Sequence, residues 1–223
     1  MKNIDYLTAS GDSVVRVKRK DLEIFLQYLE TKRNLELKFE QYPTSSRVAA
    51  NLLWIAGIEN DDLYQKNIVD LGCGSGILAL GAAYLGAKNV IGIDIDINSI
   101  SIAQNNCKET DFEEICNWIC GDVRGFELKN INTTIMNPPF GMRKESISRD
   151  RDFLITAIQF SKMIYSINPH AEKTRAFFRK FCREYGAEVV DIIAMDFEIP
   201  RQYDFHKKTK HIIKVDLYQI RNY

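Results

Sequence analysis

Hydrophobic and polar positions follow two different periods along this 223-residue chain. From residue 67 onward, short apolar runs rich in β-branched residues are separated by stretches in which apolar side chains recur at helical spacing. The runs predict strands at Asn67–Leu71, Asn89–Asp94, Cys116–Cys120 and Thr133–Met136. Helices are expected between the first three, at about 77–85 and 97–109. Strands that alternate with helices indicate a parallel sheet covered on both faces.

Helical spacing also occurs on both sides of this alternating region. It predicts further helices at residues 16–33, 44–57, 151–165 and 171–185. The last two β-like runs, Ala187–Ile199 and His211–Ile220, have no helix between them, which favours an antiparallel edge on an otherwise parallel sheet. No change in composition marks a boundary. We therefore expect one domain over 1–223, with an N-terminal extension and helix at about 1–35.

Composition narrows the class of protein. Hydrophobic residues make up 45% of the chain, and 30 basic side chains balance 30 acidic ones. A globular protein is expected, and any contact with nucleic acid must come from local patches. The uncharged stretch Leu71–Ala87 contains five glycines and predicts a loop with a buried helix, not a membrane span. Cys116 and Cys120 lack zinc-site spacing, and no secretory leader is visible, so we expect a protein without a metal that is cytoplasmic, or nuclear if its source is eukaryotic.

A glycine-rich loop follows the first strand of the alternating region. It runs from Gly72 to Gly76 with the sequence Gly-Cys-Gly-Ser-Gly, and it opens the next helix. Glycines there permit a tight turn and a close approach of ligand to backbone. Asp94 ends the next strand, where a carboxylate can accept the hydroxyls of a ribose. Asp122 follows the third strand and is expected to contact an adenine amino group. A nucleotide-type cofactor is predicted, although the loop also satisfies a relaxed dinucleotide pattern.

The most specific segment is Asn137-Pro138-Pro139-Phe140 at the end of the fourth strand. Two prolines remove two backbone donors and produce a stiff loop that is rich in acceptors. An exocyclic amino nitrogen becomes nucleophilic when acceptors hold both of its N–H groups. The side-chain oxygen of Asn137 and the carbonyl of Pro138 can supply them, and Phe140 can stack on a base. By itself this segment predicts methylation of an amino nitrogen on a base or an amide.

Three segments together resemble a known family. They are Phe39–Thr44, Asn137–Gly141 and Tyr203–Lys208, and the glycine loop resembles the first motif of class I methyltransferases. The chain is similar to the methyltransferase-like protein five family, including its archaeal relatives. The resemblance implies a Rossmann-like class I methyltransferase fold, with a mainly parallel seven-stranded sheet, an antiparallel edge strand and helices on both faces. It also implies transfer of a methyl group from S-adenosyl-L-methionine to adenosine N6 in small-subunit ribosomal RNA.

The family's site residues carry over to numbered positions of this chain. For the cofactor, the resemblance together with the glycine pattern gives Gln41, Thr44, Gly72, Gly74, Ser75, Ile77, Asp94 and Asp122. For RNA, the basic and aromatic residues of the third segment are expected to bind: Tyr203, Phe205, His206, Lys207 and Lys208. The eukaryotic members imply a partner as well, a small zinc-binding activator subunit that pairs along a sheet edge.

Other functions remain open on the sequence. Asn-Pro-Pro segments also occur in methyltransferases of DNA adenine, of cytosine N4 and of glutamine N5. A non-catalytic scaffold that binds cofactor or RNA is a further alternative, and the relaxed glycine pattern allows a nicotinamide oxidoreductase. The segments around Thr44 and Lys207 argue against DNA and glutamine, and the intact Asn137–Phe140 segment argues against a scaffold.

Overall fold

The structure is a computed structural model that describes residues 4–7, 14–29, 44–139, 144–200 and 210–223. Its strands are β1 (Ile4–Leu7), β2 (Val14–Val17), β3 (Asn67–Leu71), β4 (Asn89–Asp94), β5 (Cys116–Cys120), β6 (Ile131–Met136), β7 (Ser161–Pro169), β8 (Ala187–Pro200) and β9 (Lys210–Asn222). Its helices are α1 (Arg19–Tyr28), α2 (Ser46–Trp54), α3 (Ile77–Tyr84), α4 (Ile97–Glu109), α5 (Lys144–Phe160) and α6 (Glu172–Glu184). A π-helical turn at Ile55–Glu59 continues α2.

Seven strands form the main sheet in the order β5-β4-β3-β6-β7-β9-β8. The first five are parallel, and β9 is antiparallel to both β7 and β8. The predicted class of sheet is therefore confirmed. One detail differs, because the antiparallel strand β9 lies one position in from the edge and β8 lies outside it. The chain passes from α6 into β8 first and returns through β9, which fills the gap beside β7.

The prediction of a helix at 151–165 was wrong for its last five residues. Helix α5 ends at Phe160, and Ser161 begins β7, which pairs with β6 and β9. Ile164 packs in the core on one face of the sheet, whereas Tyr165 and Ile167 pack in the core on the other. A strand buried on both faces has a nearly continuous apolar sequence, which periodicity alone cannot distinguish from a buried helix.

The N-terminal region also differs from its prediction. Strands β1 and β2 form an antiparallel hairpin, with Ile4 opposite Val17, and the helix expected at 16–33 begins only at Arg19. β-Branched side chains in the run Val-Val-Arg-Val favour extended backbone over helix. Val17 is buried in the core beside α1. The hairpin therefore leads directly into the first core helix.

Helices cover both faces of the sheet with apolar side chains. One core layer lies under α1, α2 and α3 and includes Leu22, Leu53 and Leu80, all fully buried. The other layer lies under α5 and α6 and includes Leu154 and Phe178. Because β3 to β7 are parallel, their carboxyl ends and the loops that follow them lie along one edge, where open α/β sheets bind ligands.

Candidate active site

The residues of the candidate site lie at or just after the ends of four neighbouring strands. Strand β3 leads into the glycine loop 72–76, β4 ends at Asp94, β5 is followed by Asp122, and β6 is followed by Asn137. These strands are adjacent in the sheet and parallel. The residues predicted from separate motifs therefore come to a single edge of the sheet.

The glycine loop is fixed by backbone bonds to the end of β4. Gly72 and Cys73 donate their N–H groups to the carbonyl of Ile93, at 2.8 and 3.0 Å. A Cβ atom at Gly74 would have no heavy atom within 4 Å, so the backbone there faces open space. At Gly76, φ is +82° and a Cβ would lie 2.6 Å from the Trp118 ring. The loop thus needs glycine for packing at one position and presents bare backbone at another.

Asp94 is held against this loop. Its Oδ2 accepts the N–H of Gly74 at 2.8 Å, and its Oδ1 accepts the N–H of Asp96 at 2.9 Å. The residue is only 5% exposed. A carboxylate oxygen can accept more than one hydrogen bond, so these two bonds fix the carboxylate and remain compatible with ribose hydroxyls as further donors.

Asp70 is a buried acid in strand β3, two residues before the glycine loop. Its Oδ2 accepts the N–H of Ala79 in the first turn of α3, at 3.0 Å. Its Oδ1 is buried and has no hydrogen-bond partner within the described ranges. Burial raises the pKa of Asp70 from 3.8 to about 8, and the neighbouring charge of Asp94 adds to this effect. An acid in a buried strand immediately before a glycine loop was the available signal.

Asp122 is less buried than Asp94, and its carboxylate is paired with the guanidinium group of Arg124. Arg124 contacts both of its carboxylate oxygens, through Nε at 3.0 Å and Nη2 at 2.6 Å, and donates its backbone N–H at 3.0 Å. These contacts lower the pKa of the Asp122 carboxyl, with the Arg124 side-chain hydrogen bonds as the largest cause. An adenine amino group would therefore share this carboxylate with Arg124.

Asn137 and Thr44, predicted from different motifs, are in direct contact. Asn137 Nδ2 donates to Thr44 Oγ1 at 2.8 Å. Asn137 Oδ1 is buried and, among the residues that the structure describes, has no partner. Ser45 caps helix α2 by accepting the N–H of Val48, which fixes the backbone next to Thr44. Pro138 is buried and Pro139 half-buried directly after Asn137.

The remaining predicted residues have different outcomes. Ser75 uses its carbonyl to accept from Asn106 Nδ2 at 3.0 Å, and the side chain of Ile77 packs in the core. Seven lie outside the described residues: Gln41, Phe140, Tyr203, Phe205, His206, Lys207 and Lys208.

Ile95 was not predicted from the sequence. It is 55% exposed directly after Asp94 and offers an apolar surface at the same edge. An apolar residue between two acids at a strand end was the signal.

Comparison with known proteins identifies the family. The chain is 35% identical to the zebrafish (Danio rerio) protein rRNA N(6)-adenosine-methyltransferase METTL5, over 90% of this chain and 97% of that protein. An uncharacterized protein of Methanocaldococcus jannaschii is also 35% identical, over 92% of this chain and 94% of its own length. The chain belongs to the METTL5 family. The relationship predicted from the three sequence segments is thereby confirmed.

A solved structure supports the same relationship. The crystal structure of PH1948, a candidate RNA methyltransferase from Pyrococcus horikoshii, superposes with a TM-score of 0.83 at 36% identity, over 93% of this chain and 99% of that one. The class I Rossmann-like methyltransferase fold of this METTL5 family member is thus confirmed. The family model for ribosomal protein L11 methyltransferase (PrmA) matches only residues 51–133. That match contains the glycine loop, Asp94 and Asp122 but ends before Asn137.

Within the described ranges, no helix is both long and apolar enough to cross a bilayer.

Proposed function

We propose that this chain transfers a methyl group from S-adenosyl-L-methionine to the N6 amino nitrogen of an adenosine in ribosomal RNA. The observation that carries the proposal is the placement of Asn137, whose Oδ1 is a buried acceptor without a partner in the described part of the chain, at the carboxyl end of β6. The relatives from zebrafish, Drosophila melanogaster and Caenorhabditis elegans are named rRNA N(6)-adenosine methyltransferases.

The residues around the glycine loop fit this cofactor. Gly74 offers backbone facing open space, Asp94 offers an oriented carboxylate for the ribose, and exposed Ile95 offers an apolar surface for the adenine ring. Asp122 takes the adenine amino group in competition with Arg124. Asp70, protonated in the protein alone, would ionise beside the ammonium of the amino-acid end and accept from it through its buried Oδ1. Gln41, Thr44, Gly72, Ser75 and Ile77 complete the proposed contacts, with Ile77 acting through its backbone because its side chain belongs to the core.

The acceptor nitrogen is prepared by Asn137 and Pro138. The amino group of adenine is planar because its lone pair is delocalised into the ring. Hydrogen bonds from its two N–H groups to Asn137 Oδ1 and to the Pro138 carbonyl favour a tetrahedral nitrogen with a localised lone pair. When bound, the cofactor supplies a methyl group already activated by a positively charged sulfur. Asn137 and Pro138 would hold the amino nitrogen while it takes this methyl group from the sulfur, and the nitrogen would release one proton to solvent.

Substrate positioning is assigned to residues predicted from the second and third sequence segments. Phe140 is proposed to stack on the adenine, worth roughly 1–3 kcal/mol per stacked base. Tyr203, Phe205, His206, Lys207 and Lys208 are proposed to bind the RNA by stacking and phosphate contacts. An adenine paired inside a duplex cannot reach Asn137, so the target nucleotide must be unpaired or flipped out.

Several finer points belong to the same proposal. The whole chain acts as one domain, and the RNA is that of the small ribosomal subunit. A small zinc-binding activator subunit pairs with a sheet edge, a known way for one protein to add a strand to another. The cytoplasm is the proposed compartment. Family resemblance supports the activator and the small subunit.

The test is mass spectrometry of nucleosides from ribosomal RNA incubated with purified protein and S-adenosylmethionine. N6-Methyladenosine is expected, and N4-methylcytidine or an unmodified product would contradict the proposal.

Asn137→Ala should lower the single-turnover rate on the order of a hundredfold, because it removes a transition-state acceptor. The same variant should keep the cofactor dissociation constant measured by calorimetry. An unchanged rate would remove Asn137 from the mechanism.

A further inference from the structure

Thr44 and Asn137 form a pair that the separate motifs did not predict. We propose that Thr44 is a positioning residue: its hydroxyl holds the side-chain amide of Asn137 so that Oδ1 is presented to the amino nitrogen that is methylated. This inference rests on the proposed function. It also goes beyond the cofactor contact that family resemblance gives to Thr44.

The contact itself is well formed. Asn137 Nδ2 lies 2.8 Å from Thr44 Oγ1, across 93 positions of sequence, and both residues are partly buried. The other end of the same amide, Oδ1, is buried and has no partner among the described residues. One end of the amide is therefore anchored and the other is left as an acceptor. A buried acceptor without a partner is costly unless a ligand uses it.

The orientation of the amide decides whether the site can work. An amide rotated by half a turn would present Nδ2, a donor, where Oδ1 now lies. The amino nitrogen of adenine carries two N–H donors, so a donor facing it would repel the substrate instead of holding it. Only the orientation with Nδ2 on Thr44 gives the acceptor that the chemistry needs.

Thr44 is suited to hold that orientation. It directly precedes Ser45, which caps α2 by accepting the N–H of Val48, so its backbone is fixed at the start of a core helix. Its β-branched side chain has few accessible rotamers. The oxygen that meets Nδ2 is thus placed by a rigid element.

The hydroxyl has one hydrogen, and this constrains what it can do. While Oγ1 accepts from Nδ2, that hydrogen is left for another acceptor. A carboxylate at the amino-acid end of the cofactor would take it, after which Thr44 could no longer donate to Asn137. The cofactor contact and the positioning role are therefore compatible, and binding of the cofactor would reinforce the productive orientation of the amide.

Two substitutions at Thr44 separate these roles. Thr44→Val keeps the shape and removes the hydroxyl, whereas Thr44→Ser keeps the hydroxyl. Thr44→Val should lower kcat at saturating cofactor by roughly tenfold to a hundredfold, the range found for groups that orient the ligands of a metal through a hydrogen bond. Thr44→Ser should restore most of that loss. Thr110→Val is the matched control, because it makes the same change at a threonine whose hydroxyl donates to carbonyls of α4; its kcat should stay within about twofold of wild type.

A double-mutant cycle links the effect to Asn137. In an Asn137→Ala background, Thr44→Val should change kcat by less than about twofold, because the group that it positions is gone. An equal loss in both backgrounds would overturn the proposal. So would a Thr44→Val variant whose cofactor affinity falls while its kcat at saturation is unchanged, since that result describes a cofactor contact alone.

The orientation can also be observed without activity. In protein labelled with ¹⁵N-asparagine, the Asn137 side-chain amide signal is assigned by its loss in Asn137→Ala. Slowed hydrogen exchange at this amide is expected in wild type and Thr44→Ser and not in Thr44→Val. Fast exchange in wild type would overturn the proposal even if RNA is methylated. Conversely, slowed exchange with no methylated RNA would refute the proposed function and leave the Thr44–Asn137 contact standing.

Discussion

The buried carboxyl of Asp70 should make the stability of this protein depend on pH. The side chain is 1% exposed, and burial raises its pKa from 3.8 to about 8. The folded state therefore keeps a proton that the unfolded chain releases at lower pH. As pH rises from the unfolded value toward the folded value, ionisation favours the unfolded chain, so the free energy of unfolding falls; above about pH 8 this contribution levels off.

The magnitude follows from the two pKa values. Each pKa unit corresponds to about 1.4 kcal/mol, so between about pH 5 and about pH 8 the loss is at most about 4 kcal/mol. That is a large part of the roughly 5–15 kcal/mol that stabilises an ordinary domain. Asp70→Asn places a neutral side chain of the same shape at this position, and its oxygen can still accept the N–H of Ala79.

Urea unfolding of wild type and Asp70→Asn across this pH range tests the reasoning. The stability of the variant relative to wild type should rise with pH and then level off. Asp122→Asn is the control, since the pKa of half-buried Asp122 is lowered by Arg124 and its contribution changes only at more acidic pH. A stability difference between wild type and Asp70→Asn that does not change with pH would refute the view that Asp70 is protonated in the folded protein.

Three further predictions concern the proposed site. Asp94→Ala should weaken the binding of S-adenosylmethionine, measured by calorimetry, at least about tenfold, because a hydrogen bond to a charged group contributes roughly 1.5–3 kcal/mol. Wild-type affinity in this variant would show that the ribose lies elsewhere. Gly76→Ala should lower unfolding stability by about 1–3 kcal/mol, because its Cβ meets the Trp118 ring at 2.6 Å and φ is +82°; an unchanged denaturation midpoint would contradict this. Replacing both Lys207 and Lys208 by Ala should weaken RNA binding and reduce its dependence on salt, and an unchanged salt slope would exclude phosphate contact.

The sequence by itself determined the alternating elements and the chemistry of the motifs. Glycine widens and proline narrows the range of local backbone conformations, and strand and helix periods are local too. The strand Asn67–Leu71, the loop at Gly72–Gly76 and the segment at Asn137 could therefore be interpreted from neighbouring residues. The family could also be predicted from the sequence, because the three segments together are specific for it. Antiparallel pairing of the last two strands was also predictable, since no helix lies between them.

Only the tertiary structure decided the features that depend on burial and on distant neighbours. β7 is a strand because the sheet provides partners on both sides of Ser161–Pro169, although its apolar run fits a helix equally well. The raised pKa of Asp70 comes from burial, which no local pattern measures. The bond from Asn137 to Thr44 joins positions 93 residues apart. It exists because the fold brings the residues before helix α2 close to the end of strand β6, and it gives an asparagine recognised from sequence a defined orientation.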